Sequence, residues 1–243
     1  VSTVRPGELL AWSWLLPRHA WRFDATARSA ARVVALDGRP IRTPKRAFLV
    51  LPTQQLAHQI ALEWAAQEED IAPSTMPLTG MANASIDLIA PDIAAFAKPL
   101  AAFGESDLLC YRAPEADLAA VEAAGWNPIL NWAETQYGVE FRLITGIIHQ
   151  PQPAETVSRL ASALMEQSAW RMAALSPLIT IAGSLVIALA MVERAFDAES
   201  LWQAVTLDER WQEEKWGVDD QALAARNRKM AEWHAAGHFL DLI

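Results

Sequence analysis

Short apolar runs separated by turn residues occupy the chain between residues 32 and 51. The runs at 33–36, 41–43 and 48–51 are rich in valine, isoleucine and leucine, and Asp37 with Gly38 stands between the first two. Glycine in such a turn accepts the positive φ that tight hairpins require. The pattern predicts strand, turn and strand, and hence a small antiparallel sheet.

Helical spacing of apolar residues follows directly after this sheet. Apolar side chains recur at positions 56, 60 and 64, and Thr53 is placed to cap the helix that they predict. Residues 76–89 predict a second helix with Pro77 near its start, and Pro91 opens a third. We expect the first of these helices to cover the sheet.

The rest of the chain predicts helices almost throughout. A break is expected at 125–128, where glycine and proline stand close together, and the β-branched run at 139–148 predicts one short strand. Helices are then expected at 154–172 and 172–192. Two or three acidic, alanine-rich helices complete the prediction up to the C-terminus.

These patterns define a fold class, which is α+β. The N-terminal domain is expected to hold the small antiparallel sheet with packed helices, within residues 1–90. An all-helical C-terminal domain is expected over residues 91–243.

The uncharged segment at 172–192 is the only stretch that raises the question of a membrane. At about 1.5 Å per residue, one helix of this length just crosses a bilayer. Pro177, Gly183 and several hydroxyl side chains within the segment favour a buried core helix instead. We therefore expect no stable membrane insertion.

Charge and cysteine content narrow the class of protein. The formal charge of -9 argues against a protein that binds nucleic acid by neutralising phosphates. The single cysteine, Cys110, permits neither an internal disulfide nor a cysteine-based zinc cage, and it favours a reducing compartment. The N-terminal residues lack the pattern of a secretory signal, although five arginines between Arg5 and Arg32 are weakly typical of an organelle transit segment.

Catalytic motifs are sparse in the sequence. It contains neither a glycine-rich phosphate loop nor a GxSxG elbow. His234 and His238 have helical metal-ligand spacing but lack the glutamate of a metalloprotease helix, so no metal and no other cofactor is expected. An enzyme of unknown type that uses Cys110 or the carboxylates between Glu209 and Asp220 is the alternative to a binding protein.

Acidic side chains and tryptophan share one helical face near the C-terminus. Glu209, Gln212, Glu213 and Trp216 follow the spacing i, i+3, i+4 and i+7. A solvated acidic face with tryptophans turned inward is the simpler interpretation. The other interpretation is a recognition surface, because tryptophan beside charge is typical of interface hot spots and like charges at i, i+4 lower stability.

Seven sequence blocks, taken in order, resemble the assembly-chaperone family that holds the alpha subunit of the F-type ATP synthase in mitochondria and alpha-proteobacteria. The blocks are 36–44 (LDGRPIRTP), 61–67 (ALEWAAQ), 76–79 (MPLT) with 82–83 (AN), 106–112 (SDLLCYR), 126–132 (WNPILNW), 183–186 (GSLV) and 207–217 (LDERWQEEKWG). The resemblance extends from about Trp21 to the C-terminus. Asn127 departs from the family, which often has aspartate at this position.

The resemblance implies a soluble binding protein with no catalytic reaction and no cofactor. Its partner would be the unassembled alpha subunit, held at the surface that later faces the beta subunit. Glu209, Gln212, Glu213 and Trp216 are then the expected partner-binding residues, and the protein is expected to be monomeric when free. The bacterial cytoplasm is the expected compartment, with the mitochondrial matrix as the alternative. Trp64 and residues 106–112 are expected to be structural, with Asp107 as a cap and Arg112 paired to a carboxylate.

Overall fold

A computed structural model of the protein describes residues 9–15, 20–28, 31–36, 39–68 and 70–243, with side chains from residue 39 onwards. The chain divides into two compact units. The first contains the described residues up to Asp92 together with Ala169–Ala173 and His238–Ile243. The second contains Ile93–Ser168 and Ala174–Gly237.

The first unit is built on an antiparallel sheet. Its strands are β1 (Leu9–Leu15), β2 (Ala20–Arg28), β3 (Ala31–Leu36), β4 (Arg39–Pro40) and β5 (Val50–Leu51). The strands pair in the order β1-β2-β3-β4, and β5 also pairs with β3. The predicted turn of Asp37 and Gly38 lies outside the described residues, but the flanking strands pair at Leu36 and Arg39. β1 and β2 were not predicted, and the expected strand at 41–43 is reduced to a bridge between Arg42 and Phe48.

Two helical segments pack in the same unit. They are α1 (Gln54–Ala65) and α2 (Pro77–Ala84), and α2 continues into a π-helical turn at Ser85–Ile89. Thr53 caps α1 as predicted, because its hydroxyl oxygen accepts a hydrogen bond from the Leu56 N–H at 3.1 Å. The buried face of α1 consists of Leu56, Ala57, Ile60 and Ala61. Leu56 and Ile60 are two of the three apolar positions whose spacing predicted the helix.

From Ile93 onwards the chain is mainly helical. The helices are α3 (Ile93–Ala101), α4 (Ala116–Tyr137), α5 (Ala154–Met165), α6 (Ala169–Ala182), α7 (Leu185–Val192), α8 (Ala198–Val205), α9 (Leu207–Trp216) and α10 (Asp220–Asp241). Two short strands, β6 (Tyr111–Arg112) and β7 (Ile144–Thr145), pair in parallel. The α+β fold class is confirmed, and β7 is the short strand expected within 139–148. The sequence also predicts a boundary between two domains at residues 90 and 91, and this boundary stays a prediction.

The predicted break at 125–128 is wrong, because α4 runs through it with Pro128 inside the helix. Proline removes one backbone hydrogen bond of the helix, but side chains before and after Pro128 are buried and stabilise the helix there. Trp126 is 1% exposed, and its indole Nε1 donates to the Ala204 carbonyl at 2.9 Å. Gly125 lies against the Leu207 side chain, where a Cβ would come within 2.7 Å of Leu207 Cδ1. Burial therefore outweighs the local helix-breaking tendency.

The two long helices predicted at 154–172 and 172–192 are each interrupted. α5 ends at Met165 and α6 begins at Ala169, so the first prediction is wrong near its end. Gly183 adopts a φ of 62°, and Ser184 then caps α7 by accepting from the Ile187 N–H at 3.0 Å. Within the described part of the chain, no helix has both the length and the apolar character needed to cross a membrane.

Candidate functional site

The candidate site lies between α9 and α10 in the second unit. Asp208 and Glu209 lie in the first turn of α9, where the positive end of the helix dipole stabilises acidic side chains. It ends at Gly217, whose φ is 88° and whose N–H donates to the Glu213 carbonyl at 2.9 Å. Asp219 then accepts from the Ala222 N–H at 2.8 Å at the start of α10. The three-residue link 217–219 therefore brings the two helices together.

Two ion pairs join the facing sides of α9 and α10. The Arg226 guanidinium donates to both carboxylate oxygens of Glu213, with nitrogen–oxygen distances of 2.8 Å. Lys229 Nζ lies 3.6 Å from Glu209 Oε1. Residues 209 and 213 are one turn apart on α9, and 226 and 229 are nearly one turn apart on α10, so the pairs form in antiparallel order. The like charges on α9 are thus balanced by cations of the same chain.

A groove of about 300 Å³ lies along this helix pair. All four predicted partner-binding residues line it. The lining residues are Glu209, Gln212, Glu213, Trp216, Gly217, Asp219, Ala222, Ala225, Arg226 and Lys229. The face that the sequence predicted is therefore one wall of a groove, and α10 supplies the other wall.

The apolar surface at the end of this groove is exposed. Trp216 is 74% exposed and Val218 is 61% exposed. The Trp216 ring meets Trp211 edge to face, with ring centroids 5.8 Å apart. Lys215 Nζ lies 5.0 Å from the Trp211 ring centroid and 3.1 Å from Asp117 Oδ2 on α4. The exposed indole is thus supported from one side by aromatic contact.

The four predicted residues differ in accessibility. Glu209, Gln212 and Trp216 are exposed, whereas the Glu213 side chain is only 19% exposed and is engaged by Arg226. Glu213 therefore holds the hairpin of α9 and α10 in the free protein. Sequence reasoning missed Arg226, Lys229 and Val218. Cations on the following helix, spaced to match the acidic pair, were the signal that could have found the first two.

A cluster of buried charges lies under the start of α9. Asp208 has a buried carboxylate oxygen without a hydrogen-bond partner, and burial together with the neighbouring charge of Glu122 raises its pKa to about 6. Arg112 is also buried, and its guanidinium donates to the carbonyls of Leu109 and Tyr111 and, at 2.8 Å, to Asn127 Oδ1. The expected carboxylate pairing of Arg112 is thus replaced by neutral acceptors, with Glu122 and Asp208 nearby.

Of the residues of the enzymatic alternative, Glu209, Glu213 and Asp219 line the groove, whereas Cys110 is not among its lining residues. Cys110 is fully buried, and burial, reinforced by the charge of Asp107, raises the pKa of its thiol. A thiol in that environment is a poor nucleophile, because the reactive form is the thiolate. In the part of the chain that the structure describes, no three His, Cys, Asp or Glu side chains are arranged to hold a metal ion. His234 and His238 are both exposed on α10.

Comparison with known proteins identifies the family of this chain. A family model described as ATP12 chaperone protein matches residues 21–134. The crystal structure of Atp12 from Paracoccus denitrificans is 35% identical, with a TM-score of 0.85, and the alignment covers 90% of this chain and 95% of that one. The chain therefore belongs to the ATP12 chaperone family, and the resemblance found in its sequence is confirmed.

Two further relatives support the same assignment. A mutant of the P. denitrificans protein is 36% identical with a TM-score of 0.84, over 90% of this chain and 94% of that chain. The mitochondrial protein atp12 of Schizosaccharomyces pombe is 25% identical over 92% of this chain and 82% of its own length. The family thus includes bacterial and mitochondrial members.

Proposed function

We propose that this protein binds the unassembled alpha subunit of the F-type ATP synthase catalytic head and covers its beta-facing surface until the hexamer forms. The observation that carries the proposal is the exposed Trp216 at the end of the groove between α9 and α10. A free subunit of an obligate ring exposes a large apolar interface, and covering it requires complementary contact and no chemistry.

The apolar end of the groove supplies the first part of this contact. Trp216 and Val218 are adjacent in sequence to the glycine that ends α9, and both project from the turn into solvent. Tryptophan contributes strongly when a partner desolvates it, because its large ring is buried with little loss of conformational entropy. The edge contact with Trp211 limits that loss further.

Charged side chains supply the second part of this contact with the partner. The carboxylates of Glu209, Glu214, Asp219 and Asp220 are exposed along α9, the link and the start of α10. Glu209 is 48% exposed and its contact with Lys229 is long, so a partner cation replaces Lys229 with little penalty. The client surface is therefore expected to combine apolar residues with lysine or arginine. Electrostatic attraction of this kind acts mainly on the rate of association.

The proposed mode of action is binding and exchange. The protein is expected to be monomeric when free, to contact neither nucleic acid nor cofactor, and to act without catalysis. Because the alpha subunit must pass to its final partner, affinity is expected to be moderate or release to be coupled to the beta subunit. We place this action in the bacterial cytoplasm, with the mitochondrial matrix as the alternative.

Co-expression with the alpha subunit of the same organism tests the proposal. Size-exclusion chromatography is expected to show a stoichiometric complex that keeps alpha soluble. Trp216→Ala and Glu209→Lys are each expected to weaken the complex at least tenfold, on the scale of an interface hot spot.

Glu232→Lys is the matched control for the charge reversal. Glu232 is exposed on α10 but does not line the groove. Its reversal changes the net charge as much as Glu209→Lys does, so it is expected to leave the complex intact. Absence of a complex between two folded wild-type proteins would overturn the proposal. Equal weakening by Glu209→Lys and Glu232→Lys would show that the groove is not the binding surface.

A further inference from the structure

Residues 143–148, at β7 and the bend that follows it, expose large apolar side chains in the second unit. Leu143 is 51% exposed, Ile147 is 97% exposed and Ile148 is 78% exposed. Ile144 between them is 2% exposed, so the segment already contributes one side chain to the core. Exposed apolar residues that cluster in this way mark interaction surfaces more often than residues scattered singly.

Hydrogen bonds hold the backbone before and after Ile147 and Ile148, at Gly146 and at Gln152. The Gly146 N–H donates to the Arg112 carbonyl at 2.9 Å. Gln152 binds the backbone of Arg142 twice, accepting from its N–H at 2.9 Å and donating to its carbonyl at 2.8 Å. The isoleucines are therefore presented on an anchored backbone, which lowers the entropy lost when a partner binds them.

One edge of β7 is open. β7 pairs with β6 on one side, in the register Tyr111 with Ile144 and Arg112 with Thr145. Since Gly146 N–H points towards β6, the N–H of Thr145 points to the opposite side. No described residue accepts a hydrogen bond from it. Neither lysine nor proline occurs between positions 143 and 148 to protect this edge, and such unprotected edges pair readily with another chain.

The groove between α9 and α10 is too small to hold a client alone. A stable interface buries about 800 Å² on each partner, which corresponds to roughly 20–30 residues a side. Ten residues line the groove of about 300 Å³. Arg112 connects the two surfaces, because its carbonyl binds Gly146 while its guanidinium lies near Asp208 at the start of α9.

We infer that residues 143–148 form a second client-binding surface, which accepts an extended segment of the bound subunit as an added β-strand. The open edge of β7 requires an extended backbone, and the exposed isoleucines that follow β7 require apolar side chains on that segment. This inference rests on the proposed function, since the strand that it accepts belongs to the same client.

Binding of purified alpha subunit to loop variants tests the inference. The double variant Ile147→Asp with Ile148→Asp is expected to weaken binding at least tenfold. Val121→Asp is the control for an aspartate at an exposed apolar position, because Val121 is 44% exposed on α4 and lies outside both surfaces, and it is expected to bind like wild type. Thr145→Pro, which removes the outward N–H, is expected to weaken binding to a similar degree.

Hydrogen exchange of the wild-type protein provides a measurement that requires no variant. The Thr145 amide is expected to exchange at least tenfold more slowly in the complex than in the free protein. A complex that forms normally with the aspartate variants, and leaves Thr145 unprotected, overturns the second surface while the proposed function stands. If wild type forms no complex with alpha, both proposals fail. If the free protein instead forms a dimer that Ile147→Asp abolishes, the edge pairs copies of this chain and the inference is wrong.

Discussion

Asp107 and Glu209 are both carboxylates of the second unit, but their environments are opposite. Asp107 has no exposed surface, and its oxygens accept from the N–H groups of Leu109 at 3.1 Å and Val186 at 3.0 Å. Ser184 also donates to it. Glu209 is 48% exposed and lies 3.6 Å from the ammonium of Lys229.

The difference shows how the partners of a carboxylate decide its role. Buried N–H groups cannot donate to water if they lose their acceptor, so a carboxylate that accepts from them has a structural role. An exposed ion pair exchanges one partner for another at little change in free energy. Glu209 is therefore suited to reversible binding, and Asp107 is suited to joining the segment 106–112 to the start of α7.

Asp107→Ala gives the largest effect expected from this comparison. The substitution leaves two buried N–H groups without an acceptor, and each such group destabilises by about 1–3 kcal/mol. Urea denaturation is expected to show a loss of roughly 2–5 kcal/mol. Asp107→Asn keeps one amide oxygen as acceptor and is expected to lose less. A loss below about 0.5 kcal/mol for the alanine variant would contradict the structural role of this carboxylate.

The role of Asp107 was predictable from its block, whereas α4 was misread. Asp107 precedes apolar residues in the way that a cap does, and it caps the short 3-10 turn Leu108–Cys110. Gly125 and Pro128 locally favour a break, but α4 continues because Trp126 and Leu207 pack on that stretch of helix. Propensity is a local quantity, and tertiary burial overrode it here.

The groove was half predictable for a similar reason. Helical periodicity places Glu209, Gln212, Glu213 and Trp216 on one face, because spacing within one helix fixes the face. The pairing with Arg226 depends on the angle at which α10 leaves the link at Gly217, and no pattern within α9 contains that angle. The apolar run of β1 was missed because a short continuous run is ambiguous between strand and helix.

Glu213→Gln and Glu209→Gln compare a shielded and an exposed carboxylate within the groove. The bidentate pair of Glu213 with Arg226 is largely shielded, with side-chain exposures of 19% and 15%. Its loss is expected to destabilise the protein by about 1–2 kcal/mol. Glu209→Gln is expected to change stability by less than about 0.5 kcal/mol, because its pair is exposed. Chemical denaturation of the two variants in parallel measures both values.

Binding is expected to rank the same two variants in the opposite order. Glu209→Gln removes an accessible charge from the proposed client surface, whereas Glu213→Gln removes a charge that Arg226 already engages. A titration with the alpha subunit is therefore expected to show the greater loss of affinity for Glu209→Gln. Equal stability losses for the two variants would show that the hairpin of α9 and α10 is not held by the inner pair.

Asp208→Asn is expected to change stability only slightly, by an amount that depends on pH. Burial and the charge of Glu122 raise the pKa of Asp208 from 3.8 to about 6. The folded state therefore binds this proton more tightly than the unfolded state, so stability falls as pH rises from 3.8 to 6. Removing the charge is expected to flatten this fall and to raise stability at pH 7 by less than about 1 kcal/mol, since solvent screens part of the interaction.

Thermal unfolding between pH 4 and pH 7 checks this expectation against a matched variant. A hydrogen bond from Lys215 lowers the pKa of exposed Asp117, so its charge affects stability below the window in which Asp208 acts. Asp117→Asn is therefore expected to leave the fall between pH 4 and pH 6 unchanged. Burial also raises the pKa of Asp107 to about 6, so some of the fall remains in Asp208→Asn. Burial raises the pKa of Glu63 as well, so an unaltered pH profile in Asp208→Asn would assign the fall to Asp107 and Glu63 and none of it to the start of α9.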